Sequence, residues 1–297
     1  MNFLQKVFHI YSNSSKSADY TGQQASDIIK NELLSEKPSM IARIGSTELL
    51  AMSNFINSKN PIKKTIQYFE RGVIINKMST LSGFYPSNEK NIIKFLEEMI
   101  NDMKEVDVLG SWRKEEKLFA KELNSAIKIR LQDLEPYYHV SPWSEVLRNK
   151  RVLVIHPFED SIKSQYSKRE LLFENPSILP EFRLITIKAV QSIANNKPEF
   201  ENWFIALEYM KTQMDNVDFD IALIGCGAYG FPLAAHVKRK GKKAVLLGGA
   251  LQILFGIKGK RWEEHPQISR LMNEHWTRPL KNEVPNNSVK IDGGSYW

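Results

Sequence analysis

Residues 218–249 read DFDIALIGCGAYGFPLAAHVKRKGKKAVLLGG. An apolar run, FDIALI, meets Gly225, Gly227 and Gly230 in the spacing G-x-G-x-x-G. A segment with helical apolar spacing follows over 231–240, then Gly241 and a second apolar run, KAVLL. Strand, glycine turn, helix and strand make a βαβ unit, whose parallel strands need a sheet covered on both faces. The glycines permit a tight turn and close backbone approach, and the helix start offers N–H groups and a positive dipole end to a phosphate. Pro232 fits the first helical turn, where its missing N–H costs nothing.

Outward from this unit the rhythm repeats. Short apolar runs at 40–44, 106–109, 151–155, 184–188, 219–224 and 244–247 read as strands. Between them, Ile92, Phe95, Leu96, Met99 and Ile100, and Trp203, Phe204, Leu207 and Met210, recur at helical spacing. The expected fold is α/β: a Rossmann-like, mostly parallel sheet with helices on both faces. The strand, helix, strand rhythm is cleaner from Arg151 on, which places a boundary over 142–149 between an N-terminal half, 1–148, and a C-terminal half, 149–297, together expected to form one integrated unit.

The chain has 297 residues, 42% hydrophobic and 25% charged, enough to bury a core without disulfide or metal staples. Its single cysteine, Cys226, lacks a disulfide partner, and the N-terminus carries no signal-peptide pattern, so a cytoplasmic location is expected. The longest uncharged, mostly apolar run, 244–257, contains three glycines and is shorter than the roughly 20 residues that span a bilayer. A net charge of +7 favours anionic partners. Without a recognition motif or an aromatic and basic stripe, nucleic acid is not expected among them.

Three sites could carry chemistry. The glycine turn is the first. The strand after it ends in Leu247, Gly248 and Gly249 rather than in an acid that could hold ribose hydroxyls. That weakens an NAD(P)-dependent oxidoreductase, which stays as an alternative. The second is Arg43-Ile44-Gly45-Ser46-Thr47-Glu48, where a strand ends and a helix restarts, with Glu48 in the first turn where the dipole favours a carboxylate. The third is a buried strand that delivers His156, Glu159 and Asp160 to its C-terminal end, where open α/β sheets bind ligands. A plainer reading has His156 held by backbone and Asp160 capping one helix over 161–173.

Arg43, Gly45 and Glu48 match the Arg-x-Gly-Asp-Gly-Glu type stretch of the GT-D fold glycosyltransferases of bacterial glycan assembly, which this chain resembles. The resemblance extends to the glycine-bearing turn and the strand ending beside Gly248 and Gly249. It is closest to uncharacterised proteins of polysaccharide gene clusters that share HPFEDSIKSQY, GCGAYG, FGIKGKRW and a terminal GGSYW. It implies transfer of a sugar from a nucleotide sugar to a glycan or lipid-linked glycan acceptor, with an acidic pair holding Mn²⁺ or Mg²⁺ against the diphosphate. Here Ser46 and Thr47 replace the Asp and following Gly, leaving Glu48 as the one metal-ligand candidate and opening the alternative of a degenerate sugar-nucleotide binder or scaffold.

On this reading the turn of Gly225, Gly227 and Gly230 holds phosphate, Gly248 and Gly249 admit the nucleotide close to backbone, and Gly45 is among the substrate-binding residues. Arg43 and Arg261, with Lys258 and Lys260, are expected to neutralise the diphosphate. Glu48 faces the diphosphate or its cation, and His156, Glu159 or Asp160 is the base that takes the acceptor's proton. A lipid-linked acceptor implies peripheral contact with the cytoplasmic membrane leaflet through basic surface. Trp112 and Trp143 read as core aromatics before stacking platforms. His265 and His275, ten residues apart beside Glu263, Glu264 and Glu274, lack helical metal-ligand spacing. Cys226 has no recognisable base beside it.

Overall fold

The computed structural model describes residues 18–57, 64–193, 196, 198–286, 288, 296 and 297; Gly293, Gly294 and Ser295 of the terminal motif lie outside them. Seven strands form one sheet: β1 Ser39–Ala42, β2 Val108–Ser111, β3 Ile127–Arg130, β4 Arg151–His156, β5 Arg183–Lys188, β6 Ile221–Ile224 and β7 Lys243–Leu246. Their order is β3-β2-β1-β7-β6-β4-β5, and every pairing is parallel. The named helices are α1 Gln23–Leu34, α2 Ser46–Asn57, α3 Lys64–Thr80, α4 Glu89–Asp102, α5 Glu159–Tyr166, α6 Trp203–Asp215 and α7 Gly230–Arg239. Three single-turn helices, α8 Leu251–Leu254, α9 Lys260–Glu263 and α10 Pro266–Ser269, follow.

Side chains that alternate along the central strands feed two separate cores. Met40, Ala42, Leu153, Ile155, Ala222, Ile224, Ala244 and Leu246 pack with Leu49 of α2, Phe95 of α4, Met210 of α6 and Leu233 of α7. Ile41, Val152, Val154, Ile221, Leu223 and Val245 face the other way, onto Ile29 of α1, Ile162 of α5, Ile253 of α8 and Trp262 of α9. Burial on both faces explains why these strands read as continuous apolar runs rather than alternating ones. The result is a three-layer, Rossmann-like α/β/α fold.

Local chemistry accounts for most boundaries. Asn88 caps α4 by accepting from Asn91 N at 2.9 Å, and the predicted stripe Ile92, Phe95, Leu96 and Met99 is its buried face. Arg43 and Ile44 fall beyond the end of β1, and β2 begins two residues later than its apolar run suggests. Residues 161–173 do not form one helix: α5 ends at Tyr166 and a separate 3-10 turn covers Arg169–Leu171. Nor does Asp160 cap α5. Glu283 does so from a distant segment, accepting from Asp160 N at 2.8 Å and from Ser161 N at 3.3 Å.

The connections decide where a ligand can enter. After β1 and β6 the chain turns to the face holding α2 and α7, whereas after β7 and β4 it turns to the face holding α8 and α5. Neighbouring central strands therefore send their C-terminal loops to opposite sides, and a crevice opens over strand ends that lie level, Ile155 beside Ile224 and Ile224 beside Leu246. Among the described residues, no helix is long and apolar enough to cross a membrane.

Candidate active site

The crevice is a cleft of about 430 Å³ at the C-terminal strand ends. Each inner strand delivers its next residues to the wall: Arg43 after β1, Trp112 after β2, Pro157 after β4, Gly225 after β6 and Gly248 after β7, with His156 at the last position of β4. Backbone contact holds these loops together. A Cβ at Gly225 would lie 2.6 Å from Gly248 O and 3.0 Å from His156 Cδ2, so only glycine lets the loops after β6 and β7 meet. Gly248, at φ +62°, carries the Arg43 side chain, whose Cδ lies 3.7 Å from where its Cβ would be. The Arg43 guanidinium stacks over Trp112 at 5.0 Å, and Trp112 Nε1 donates to Ile44 O at 3.1 Å.

The glycine turn is largely satisfied from within the protein. Gly225 N donates to Ile155 O, Ala228 N to Ser82 O and Gly230 N to Gly227 O. Tyr229 stacks on Trp203 at 5.2 Å, and its hydroxyl lies 3.2 Å from Ser192 Oγ. Gly230 is buried away from the cleft, where a Cβ would meet Leu246 Cδ1 at 2.5 Å, so it serves helix-on-sheet packing.

Two carboxylates line the cleft. Glu48 is 8% exposed, and burial raises its pKa against a hydrogen bond from its own backbone N–H, another from Ser82 and the charge of Arg43. Glu135, between two 3-10 turns, Leu131–Leu134 and Pro136–Tyr138, is 4% exposed. Burial pushes it up to about 7, although Tyr137 Oη donates to its Oε2 at 2.5 Å and the guanidiniums of Arg43 and Arg261 favour its charged form. Arg261 projects from α9, its guanidinium 5.2 Å from the Trp262 ring and 5.9 Å from that of Tyr296, with Nη1 3.4 Å from Tyr296 Oη.

His156 is also buried in the wall. Its Nδ1 accepts from Phe158 N at 3.0 Å, so the neutral ring carries its proton on Nε2, and burial lowers its pKa to about 3. In that tautomer it is a hydrogen-bond donor rather than a proton acceptor. Burial pushes the Cys226 thiol up, which leaves it inert.

Of the residues singled out by sequence, Arg43, Gly45, Glu48, His156, Gly225, Gly227, Gly248, Gly249 and Arg261 meet in this cleft, as does Trp112. Glu159, Asp160, Gly230, Lys258 and Lys260 are not part of its wall. Glu159 instead accepts from Thr186 Oγ1 at 2.6 Å and from Lys163 Nζ at 2.9 Å, facing β5. Asp160 stands on α5, its N–H spent on Glu283. Lys258 joins Thr277 through its backbone, and Lys260 is exposed with its N–H on Trp297 O. Trp143 is fully buried core.

The reading by sequence missed Glu135, Ser82, Ser192, Tyr296 and Trp297. No local pattern marks Glu135: it follows Gln132 and Asp133 in a mixed polar stretch, LQDLEPYYH. Tyr296 lies against Gly249, whose Cβ would be 2.6 Å from Tyr296 Cε1, and its carbonyl accepts from Gln252 Nε2 at 3.2 Å.

Toward a divalent cation the described wall offers two acids, Glu48 and Glu135. The Glu48 carboxylate is turned back onto its own helix start and Ser82, with Ser46 and Thr47 as its nearest chain neighbours. Among the described residues no group of three or more His, Cys, Asp or Glu side chains could hold a metal ion.

An all-parallel sheet with a cleft over alternating strand ends defines an α/β protein of Rossmann-like architecture. A family model described as a GT-D fold-like domain matches residues 20–254, and the chain belongs to that family. The match takes in all seven strands and Arg43, Glu48, Glu135 and His156, whereas Arg261, Trp262, Tyr296 and Trp297 lie beyond it. No curated protein and no solved structure matches the chain.

Proposed function

We propose that this protein is a glycosyltransferase that moves a sugar from a nucleotide sugar to a glycan or lipid-linked glycan acceptor. The carrying observation is that Arg43 and Arg261, from opposite ends of the chain, reach one cleft at the strand ends and both act on the same buried carboxylate, Glu135. Two guanidiniums in a low-dielectric wall suit a diphosphate, because their charge counts for more there than in water and they can bind in bidentate fashion. Gly225, Gly248 and Gly249 keep backbone close to the ligand. The indole N–H groups of Trp262 and Trp297, which have no partner among the described residues, are donors for sugar or phosphate oxygens.

In the reaction, Arg43 and Arg261 stabilise charge that grows on the departing diphosphate. His156 Nε2–H donates to a ligand oxygen. Charge compensation rests on the arginines, so no step is assigned to a cation. The net charge of +7 suits docking at the anionic cytoplasmic leaflet, where a lipid-linked acceptor would be presented.

The test is titration calorimetry with UDP-, GDP- and dTDP-sugars and with NADH. Nucleotide-sugar binding that weakens in Arg43→Ala and Arg261→Ala is expected. NADH binding without any nucleotide-sugar binding would overturn the proposal in favour of an oxidoreductase.

A further inference from the structure

We infer that Glu135 is the catalytic proton acceptor of this cleft, and that its readiness to take a proton is coupled to the diphosphate through Arg43 and Arg261. The inference rests on the diphosphate reading above. The geometry sets Glu135 apart from the other acids and the histidine. Glu159 and Asp160 are not in the cleft wall, His156 has its Nδ1 lone pair taken by Phe158 N, and Glu48 is turned onto its own backbone N–H. Glu135 is in the wall, held on Oε2 by Tyr137 Oη, which leaves Oε1 as the oxygen we assign to the acceptor. The charged groups that act on it are Arg43 and Arg261, which favour its ionised form, and Asp133, which opposes it.

In the empty cleft the two guanidiniums are the counter-charges of Glu135. A bound diphosphate competes for both, which removes part of what keeps Glu135 ionised, so its proton affinity rises. Transfer carries this further. The acceptor hydroxyl proton passes to Oε1 of Glu135 as the acceptor oxygen bonds to the anomeric carbon. The bond from that carbon to the diphosphate oxygen breaks, and its electron pair leaves on the diphosphate. The diphosphate gains a negative charge beside Glu135 as Glu135 must accept the proton, so leaving-group departure and proton capture assist each other. The rise in affinity on burial, to about 7 before any ligand arrives, already places Glu135 where a base works best near neutral pH.

The coupling is read without knowing donor or acceptor, using inorganic pyrophosphate as probe. Pyrophosphate binding is measured calorimetrically at about pH 7.5 in buffers of different ionisation enthalpy, for the full chain, Glu135→Gln and Glu48→Gln. Wild type should take up about half a proton more than Glu135→Gln, because a group near neutrality shifts upward by about one unit. Glu48→Gln, which removes a second carboxylate that Arg43 acts on, should keep the excess uptake that Glu135→Gln loses. Absence of pyrophosphate binding overturns the diphosphate reading itself. Binding with identical proton uptake in wild type and Glu135→Gln overturns the role of Glu135 alone, as does uptake that vanishes in Glu48→Gln. If Glu135→Gln does not fold, carbon-13 NMR of glutamate carboxyl groups in wild type replaces it: one buried carboxylate should titrate near neutrality and move upward with pyrophosphate, and an unmoved midpoint overturns the inference.

Discussion

The Glu48 carboxylate occupies the space a side chain at Gly45 would need: a Cβ at position 45 would stand 1.9 Å from Glu48 Oε2. Glycine at 45 is thus required by an acid three residues later, not by backbone strain. Gly45→Ala should push the carboxylate off its helix start and destabilise the fold by about 1–3 kcal/mol. In a Glu48→Ala background the same change should cost far less. Urea unfolding of the four chains checks this, and strictly additive effects would show that the two residues do not compete.

Glu135 should leave a pH signature in stability. Its proton is held more tightly in the folded chain, at about 7, than in the unfolded chain, near the ordinary glutamate value. Between those values the folded state binds more protons, so its contribution is full at acid pH and is lost as pH rises toward 7. The loss is a few kcal/mol at most, about 3 by proton linkage. Asp102, raised to about 6, slopes the same way, so the informative quantity is wild type minus Glu135→Gln. That difference should favour the glutamine variant increasingly above pH 5 and level off beyond pH 7.

His156 should show no titration from pH 8 down to 5. Nitrogen-15 NMR should find Nδ1 unprotonated and Nε2 protonated throughout, since Phe158 N donates to Nδ1 and burial opposes a second proton. The unfolded chain protonates this ring near 6.5, so stability carried by neutral His156 should fall as pH drops below that value toward 3. A doubly protonated ring at pH 6 in the folded protein would contradict the buried tautomer.

The basic residues of 258–261 should separate by position. Arg261→Ala should weaken nucleotide-sugar or pyrophosphate binding about ten- to hundredfold, the scale of one lost charge-assisted hydrogen-bonding group. Lys258→Ala and Lys260→Ala, whose side chains are not in the cleft wall, should stay within about twofold at physiological salt. Calorimetry decides it, and equal losses at all three positions would indicate a diffuse basic patch instead.

Gly249 and Tyr296 provide a check on the far wall. Gly249→Ala places a methyl 2.6 Å from Tyr296 Cε1, and the ring, partly exposed, can swing away. Thermal unfolding should therefore change little, while tryptophan fluorescence shifts and ligand binding weakens. Tyr296→Ala in the same background should absorb the effect of the methyl.

Where an element buries both faces, its nature was legible. The six strands read as apolar runs all exist: five are inner strands, where a parallel sheet under two helical layers demands such runs, and the edge strand β5 shows through its β-branched residues Ile185, Thr186 and Ile187. β3 was missed because it is an edge strand in which Lys128 and Arg130 interrupt the apolar pattern and only Ile129 is buried. Helix ends were less legible: α5 is capped by Glu283, more than a hundred residues away, a partner that no local pattern announces.

The site divides along the same line. Spacing alone determined that a glycine turn follows β6, that Gly45 and Glu48 flank a helix start, and that His156 closes a strand, since each follows from short-range backbone geometry. Only the tertiary structure decided which side chains meet. It turned Glu159 toward β5, spent the amides of Gly225, Ala228 and Gly230 on Ile155, Ser82 and Gly227, and brought Glu135, Arg43 and Arg261 to one cleft. Charge is felt over distances in space rather than along the chain, so the environment of a buried carboxylate exists only once segments ninety and more residues apart have packed.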